Sequence, residues 1–375
     1  MARPRIESVG MTRFGKRDVS FLDLIAESFE DLCSRADFQG ADAIFFGSMN
    51  PEAFCSDGNQ AVAVSDRLGL TGLPSIRVET ASSTGAAVIQ EGARAIISGQ
   101  YESVLCIAAE KMTHLETRKT TKILAEVIAP SERMYGATMP ALAALITRRY
   151  MHEYGMTREA LAKVAVKSHA NGVLNPYAHF QKNIDEGKVL GSKVVSDPLT
   201  IYDCAPISDG ACCAVLSSTR GPVRIIGAGQ STDTLAVADR QTLTSFSATR
   251  RAAARAFDAA GISPSDIDVA EVHDAFTSFE IIGTEDLGFF EPGQGWRAVE
   301  CGATELNGEL PVNPSGGLKA RGHPVGASGL AQAIEIFLQL SGDADGRQID
   351  ARHGLAQSLG GLANNNFVTI MEAVD

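Results

Sequence analysis

Val104-Leu105-Cys106-Ile107-Ala108 is an unbroken apolar run, and a strand of that kind is stable only when both of its faces are covered. A chain that contains it must put helices on either side of a buried sheet. The pattern recurs: Ala43-Ile44-Phe45-Phe46, Val223-Arg224-Ile225-Ile226, the stretch 267–272 and Phe367-Val368-Thr369-Ile370-Met371 read as strands. Between them, 21–35, 85–98, 248–260 and 328–340 read as helices, the first with Phe21, Ile25, Phe29 and Leu32 on one face. The fold class is therefore α/β. The 36 glycines and the Ala-rich helices suit close packing of helix on sheet.

From about residue 111 to 198 the texture changes to more Lys, Arg, His, Met and Tyr with spaced prolines, which predicts an inserted, mostly helical and partly mobile segment. The α/β texture returns with Ile207-Ser208-Asp209-Gly210-Ala211. The two ends share a rhythm of helix, turn, buried strand and polar loop, and a duplicated domain explains it. Lys plus Arg is 33 against 45 for Asp plus Glu, a formal net charge of −12, the wrong sign for general nucleic-acid binding. No apolar stretch approaches the roughly 20 residues of a membrane span, and the start has no signal core, so a soluble cytoplasmic protein without membrane contact is expected. Seven cysteines, with no CxxC and no Cys/His ligand spacing, predict reduced thiols and no metal site. Cys204, Cys212, Cys213 and Cys301 are read as packing residues.

The most specific segment is 313–329, Asn-Pro-Ser-Gly-Gly-Leu-Lys-Ala-Arg-Gly-His-Pro-Val-Gly-Ala-Ser-Gly. Its glycines and prolines constrain a loop around the single imidazole of His323, and Ser328 is placed to cap the next helix. A second His, in Glu271-Val272-His273-Asp274-Ala275-Phe276, follows a predicted strand, where functional groups are commonly presented.

These segments, with Val9-Gly10-Met11-Thr12-Arg13-Phe14-Gly15, Glu110-Lys111-Met112 and Tyr135-Gly136-Ala137-Thr138-Met139-Pro140, resemble the thiolase superfamily, and within it the archaeal and sterol-carrier-type enzymes. The resemblance implies a thiolase fold: two duplicated halves in a five-layer α-β-α-β-α sandwich, residues 1–113 with 199–220 and residues 221–375, and an inserted loop domain, 114–198, over the coenzyme A site. It implies an oxyanion hole from His273, through a water, and His323, with backbone donors at Ser82 and Gly360. The family's nucleophilic cysteine position is Ser82, in Glu79-Thr80-Ala81-Ser82-Ser83. Its acid/base cysteine position is Ser358, and the alternative place for that thiol is Ala275. His169, Tyr135 and Asn313 are the expected contacts to coenzyme A, with His179 and Tyr177 in the same polar loop. His114, His152 and His353 are read as non-catalytic and Trp296 as core or interface.

Functionally the resemblance implies an acyl-CoA acyltransferase that makes or cleaves the carbon–carbon bond β to a thioester by Claisen or retro-Claisen chemistry, on a non-acetyl acyl group. A retro-aldolase on a β-hydroxyacyl-CoA tolerates Ser82 because it needs no acyl-enzyme. A degenerate subunit that scaffolds a partner is the third reading. Coenzyme A enters as part of the substrate, with no covalently bound cofactor. The implied partners are a second copy of the chain, or more, and a small zinc-ribbon/OB-fold subunit.

Overall fold

A computed structural model describes residues 3–374 of the chain. Eleven strands are present: β1 (Arg5–Met11), β2 (Ala43–Gly47), β3 (Ser75–Val78), β4 (Ser103–Glu110), β5 (Val194–Ser196), β6 (Leu199–Thr200), β7 (Gly210–Ser217), β8 (Val223–Thr232), β9 (Val269–Glu271), β10 (His353–Gly360) and β11 (Asn365–Ala373). Nine of them form one hydrogen-bonded array in the order β3-β2-β4-β7-β1-β8-β11-β10-β9, while β5 and β6 pair separately. β1 meets β8 only at Arg5 and Ile6, so the array is two sheets joined at a corner.

The two sheets repeat one topology. In the first, β3 and β4 flank β2 in parallel, and β7 and β1 follow antiparallel. In the second, β9 is parallel to β10, and β11 and β8 follow antiparallel. A parallel bridge from Val312 to Ala270 stands where β3 stands in the first half. The duplication read from rhythm is thus visible as strand order. The residues between β4 and β7 are the long excursion; the equivalent β10–β11 connection is the short turn 361–364.

Helix Phe21–Arg35 covers the outer face of the first sheet and helix Ser247–Ala260 the outer face of the second. Helices Thr84–Ile97 and Ser328–Ser341 lie between the sheets and touch both. That gives five layers. The two central helices cross backbone to backbone: a side chain on Gly85 would strike the Leu330 amide, and one on Gly329 the Ala86 amide. Since neither obstacle is a flexible side chain, Gly85→Val is expected to cost on the order of 3 kcal/mol, read as a lowered denaturant midpoint. An unchanged midpoint would remove this crossing from the account.

Helical and strand stretches fall where the apolar periodicity puts them, with ends shifted by a residue or a few. Two local expectations fail. Residues 168–173 belong to helix Arg158–Val173 rather than to a polar loop, because Gly172 packs directly beneath Gly316 and the helix must continue to bring it there. Ser328 does not cap its helix; its hydroxyl donates to the Pro324 carbonyl at 3.0 Å. Trp296 is in the core. Among the described residues no helix is long and apolar enough to cross a membrane, and no cluster of His, Cys, Asp and Glu has a metal-ligand arrangement.

Candidate active site

Ser82 sits on a tight turn at the entry to the central helix Thr84–Ile97. Ala81 holds φ at 56°, a conformation that L side chains adopt only when surroundings impose it. Here they do: Thr84 Oγ1 accepts from the Thr80 amide at 2.9 Å and donates to the Ala81 carbonyl at 2.6 Å, and Ser83 Oγ donates to the Thr80 carbonyl at 2.7 Å. The turn delivers Ser82 to the positive end of a buried helix, where negative charge is favoured. Among the described residues the Ser82 hydroxyl has no hydrogen-bond partner.

His323 reaches the same place from the second half. The loop that carries it is fixed from beneath by a fully buried ion pair, Arg321 Nη1 to Glu271 Oε2 at 3.1 Å, with Ser315 donating its amide and hydroxyl to the same carboxylate. Asp274 accepts the Leu318 amide. Gly317, with φ at 60°, leaves the space that this carboxylate fills. On the other side Glu110 accepts from Ser48 Oγ, the Met49 amide and the Gly326 amide at 2.8 to 3.1 Å, tying the end of β4 to the His loop. The Ser328 hydroxyl is already donated to Pro324, so it accepts from His323 Nδ1 at 2.7 Å. That leaves Nε2 without a hydrogen and able to act as a base.

His273 follows β9, its amide held by Gln357 Oε1 at 2.8 Å. Its ring stands nearly perpendicular to that of His323, centroids 5.3 Å apart, and its Nδ1 is buried without a partner. Burial pushes the His323 imidazole down to about 3, with Arg321 adding to it, and holds His273 well below its ordinary range, with His323 and Arg321 adding to it. Both rings are therefore neutral near pH 7. Histidine-selective NMR is expected to show both unprotonated from pH 8 to pH 5. Protonation of either near 6.5 would contradict the burial argument.

Ser82, His273 and His323 line one cavity of about 200 Å3. Met49, Leu124, Val127, Met139, Phe276 and Phe279 give it apolar walls, and Leu124, Val127 and Met139 come from the segment between β4 and β7. Ala275 and Cys204 are also on the wall. Sequence reasoning read Cys204 as packing; a backbone bridge from Cys204 to Phe276 carries it to the cavity, a non-local pairing with no signal in the sequence.

The other predicted residues are distributed differently. Gly360 packs against the Thr80 carbonyl and the Ser83 hydroxyl, beside the Ser82 turn. Ser358 is buried under Gly329, its hydroxyl unpartnered, and is not on the cavity wall. Asn313 is fully buried, its side chain accepting the Val272 amide and donating to Glu280. His169 gives Nδ1 to the Lys182 carbonyl and stacks on Phe180. His179 bonds Ser208 and Tyr177 lies against Arg35 and Asp31. Tyr135 is 85% exposed. None of these five lines the cavity.

Fold and site together define a duplicated α/β protein that presents a hydroxyl and two neutral imidazoles at the start of a buried helix. The chain belongs to the thiolase family: the description "Thiolase, N-terminal domain" matches residues 5–220 and "Thiolase C-terminal domain-like" residues 229–373. It is similar to the acetyl-CoA acetyltransferase of Methanothermobacter thermautotrophicus, 41% identical over 96% of this chain and 97% of that one. Sterol carrier protein 2 of Bos taurus is 32% identical, over 97% of this chain and 71% of that one. The benzoylsuccinyl-CoA thiolase subunit BbsB of Thauera aromatica is 31% identical, over 92% and 91%. Among solved structures, the Ltp2-ChsH2(DUF35) aldolase superposes with a TM-score of 0.84 at 24% identity, over 99% of this chain and 98% of that one, and shows the fold.

Proposed function

We propose that this protein makes or breaks the carbon–carbon bond β to a coenzyme A thioester, as an acyltransferase of thiolase type, through an enolate held between His273 and His323. The observation that carries the reading is the convergence of both rings on the Ser82 cavity. A base with a bare Nε2 takes the proton of the attacking nucleophile. Once protonated, the same nitrogen donates to the negative oxygen that results, an effect worth a few kcal/mol per donor in a water-poor site. The largely apolar cavity favours an acyl group larger than acetyl, and the benzoylsuccinyl-CoA relative fits that choice.

Ser82 bears on the route. Its hydroxyl is not engaged by His323, and an unactivated serine is a weak nucleophile. That favours, as a second reading, cleavage of a β-hydroxyacyl-CoA, in which His323 removes the hydroxyl proton and no acyl-enzyme forms. Tyr135, an expected contact to coenzyme A, is on the surface, and no tyrosine lines the cavity.

Intact mass spectrometry after incubation with acyl-CoA separates the two. An acyl adduct on the native chain, enhanced in Ser82→Cys together with Claisen activity, supports the acyltransferase. Release of a ketone or aldehyde with no adduct supports the aldolase. A protein that does neither, with or without a zinc-ribbon/OB-fold subunit added, leaves only a scaffolding role. A second copy of the chain is part of the proposal: β3 is an open sheet edge with Ile76 53% exposed, which suits pairing with another strand. A monomeric mass in light scattering would remove that part.

A further inference from the structure

Resting on that reading, we infer that Cys204 is the proton donor to the substrate α-carbon. Any cleavage of the bond β to a thioester leaves an enolate whose α-carbon must gain a proton, and condensation needs the reverse. Four of the five chemically capable groups on the cavity wall are otherwise occupied or unsuited, among them the Thr121 hydroxyl, which donates to the Thr117 carbonyl at 2.8 Å. His323 is taken up with the nucleophile's proton, His273 is a neutral ring beside the developing oxyanion, and the Ser82 hydroxyl is intrinsically less acidic than a thiol. Cys204 is the remaining group, and it faces the cavity next to Ala275, whose carbonyl accepts the Ala205 amide at 2.9 Å.

A second observation points the same way. Lys319 is only 2% exposed, and among the described residues its ammonium has no hydrogen bond and no carboxylate partner. It stands between the Phe180 and Tyr202 rings, 5.8 Å from each centroid. A buried cation is expensive, and here its charge bears on Cys204: burial and the Asp203 carboxylate push the thiol up to about 12 while the Lys319 charge opposes them, and Asp274 and Asp203 in turn support that charge. A thiol in that state keeps its proton until an enolate asks for it, and the thiolate left behind has a cation near it.

The step balances without a co-reactant. The Cα–Cβ bond breaks, its electron pair becomes the enolate, a Cα–H bond forms as the S–H bond of Cys204 breaks, and the thiolate recovers its proton from the His323 imidazolium, which had taken it from the nucleophile or the β-hydroxyl.

The test is α-hydrogen exchange of butyryl-CoA in deuterium oxide, followed by NMR on the full-length protein. Cys204→Ala is expected to slow exchange by about 100-fold or more, the usual contribution of a positioned acid or base, while calorimetric affinity for butyryl-CoA stays within a factor of two or three. Should the alanine variant not fold, Cys204→Ser keeps the shape and should show the same loss. Exchange within threefold of the native rate in a folded variant would overturn the inference alone. Absence of exchange in the native protein would take away the enolate reading, and the inference with it. As a readout independent of turnover, bromoacetyl-CoA should alkylate Cys204 at a rate that climbs as pH is raised and thiolate forms, with bromide leaving and the thiol proton passing to solvent; an adduct mapped only to other cysteines counts against the assignment.

Discussion

His323→Ala is expected to lower turnover of an acyl-CoA substrate by about 1000-fold or more, because in the proposed mechanism one atom, Nε2, performs two tasks in sequence. As a base it is available only because Ser328, committed to the Pro324 carbonyl, fixes the hydrogen on Nδ1. As a donor it acts after protonation, and losing a single oxyanion donor alone typically costs 100- to 1000-fold. The residue is buried at pH 7 as a neutral ring, so the imidazolium forms at the expense of desolvation and is stabilised by the oxyanion it faces. His323→Asn restores a donor without a base, and should recover part of the loss only for a step that needs no proton removal. His273→Ala removes one donor and no base, so its effect should be the smaller. The measurement is kcat and KM for each variant; a His323→Ala enzyme within tenfold of native kcat would end the assignment, whatever its KM.

Much of this geometry is legible in the sequence, for reasons that differ by residue. Strands such as Ser103–Glu110 are buried on both faces, so their apolar runs are continuous, and helices such as Phe21–Arg35 have one apolar stripe. Both are local patterns set by burial. His323 is legible because a fixed loop needs unusual residues: Gly316 and Gly317 both take positive φ, at 93° and 60°. Cys204 is not legible, since its place on the wall comes from a bridge to Phe276, 72 residues away, and from the fold of the long excursion between β4 and β7. His169 and Asn313 lie off the cavity, and what their side chains hold in the fold is not legible either. Each is a polar residue in a suggestive segment: Asn313 bonds the Val272 amide and Glu280, and His169 bonds the Lys182 carbonyl through Nδ1 while its buried Nε2 has no partner among the described residues.

Arg321→Met should destabilise the fold by about 3 to 5 kcal/mol, the usual result of removing one partner of a buried ion pair, and the loss should grow as pH rises. Arg321 and Glu271 are both fully buried, and the guanidinium also reaches Ser315 Oγ at 3.2 Å. Without the cation, Glu271 keeps the Ser315 donors but no counter-charge. Its carboxyl, which burial already lifts and Arg321 pulls down, then titrates higher still. A folded-state pKa raised above the unfolded value means that the folded state holds the extra proton. Stability is therefore fully present below the unfolded pKa and is lost as pH climbs through the folded one. Native and variant share the burial contribution, so their difference isolates the missing cation. Urea unfolding of both proteins at pH 6 and pH 9 measures it. A larger deficit at pH 9 is the expected result, and an equal deficit at the two pH values would mean that Arg321 contributes packing and hydrogen bonds but no charge. Because Glu271 also receives the Ser315 amide and hydroxyl and stands one strand-end before His273, the same variant should lower kcat even where it remains folded at pH 6, since both imidazoles are aimed by the loop that this pair anchors.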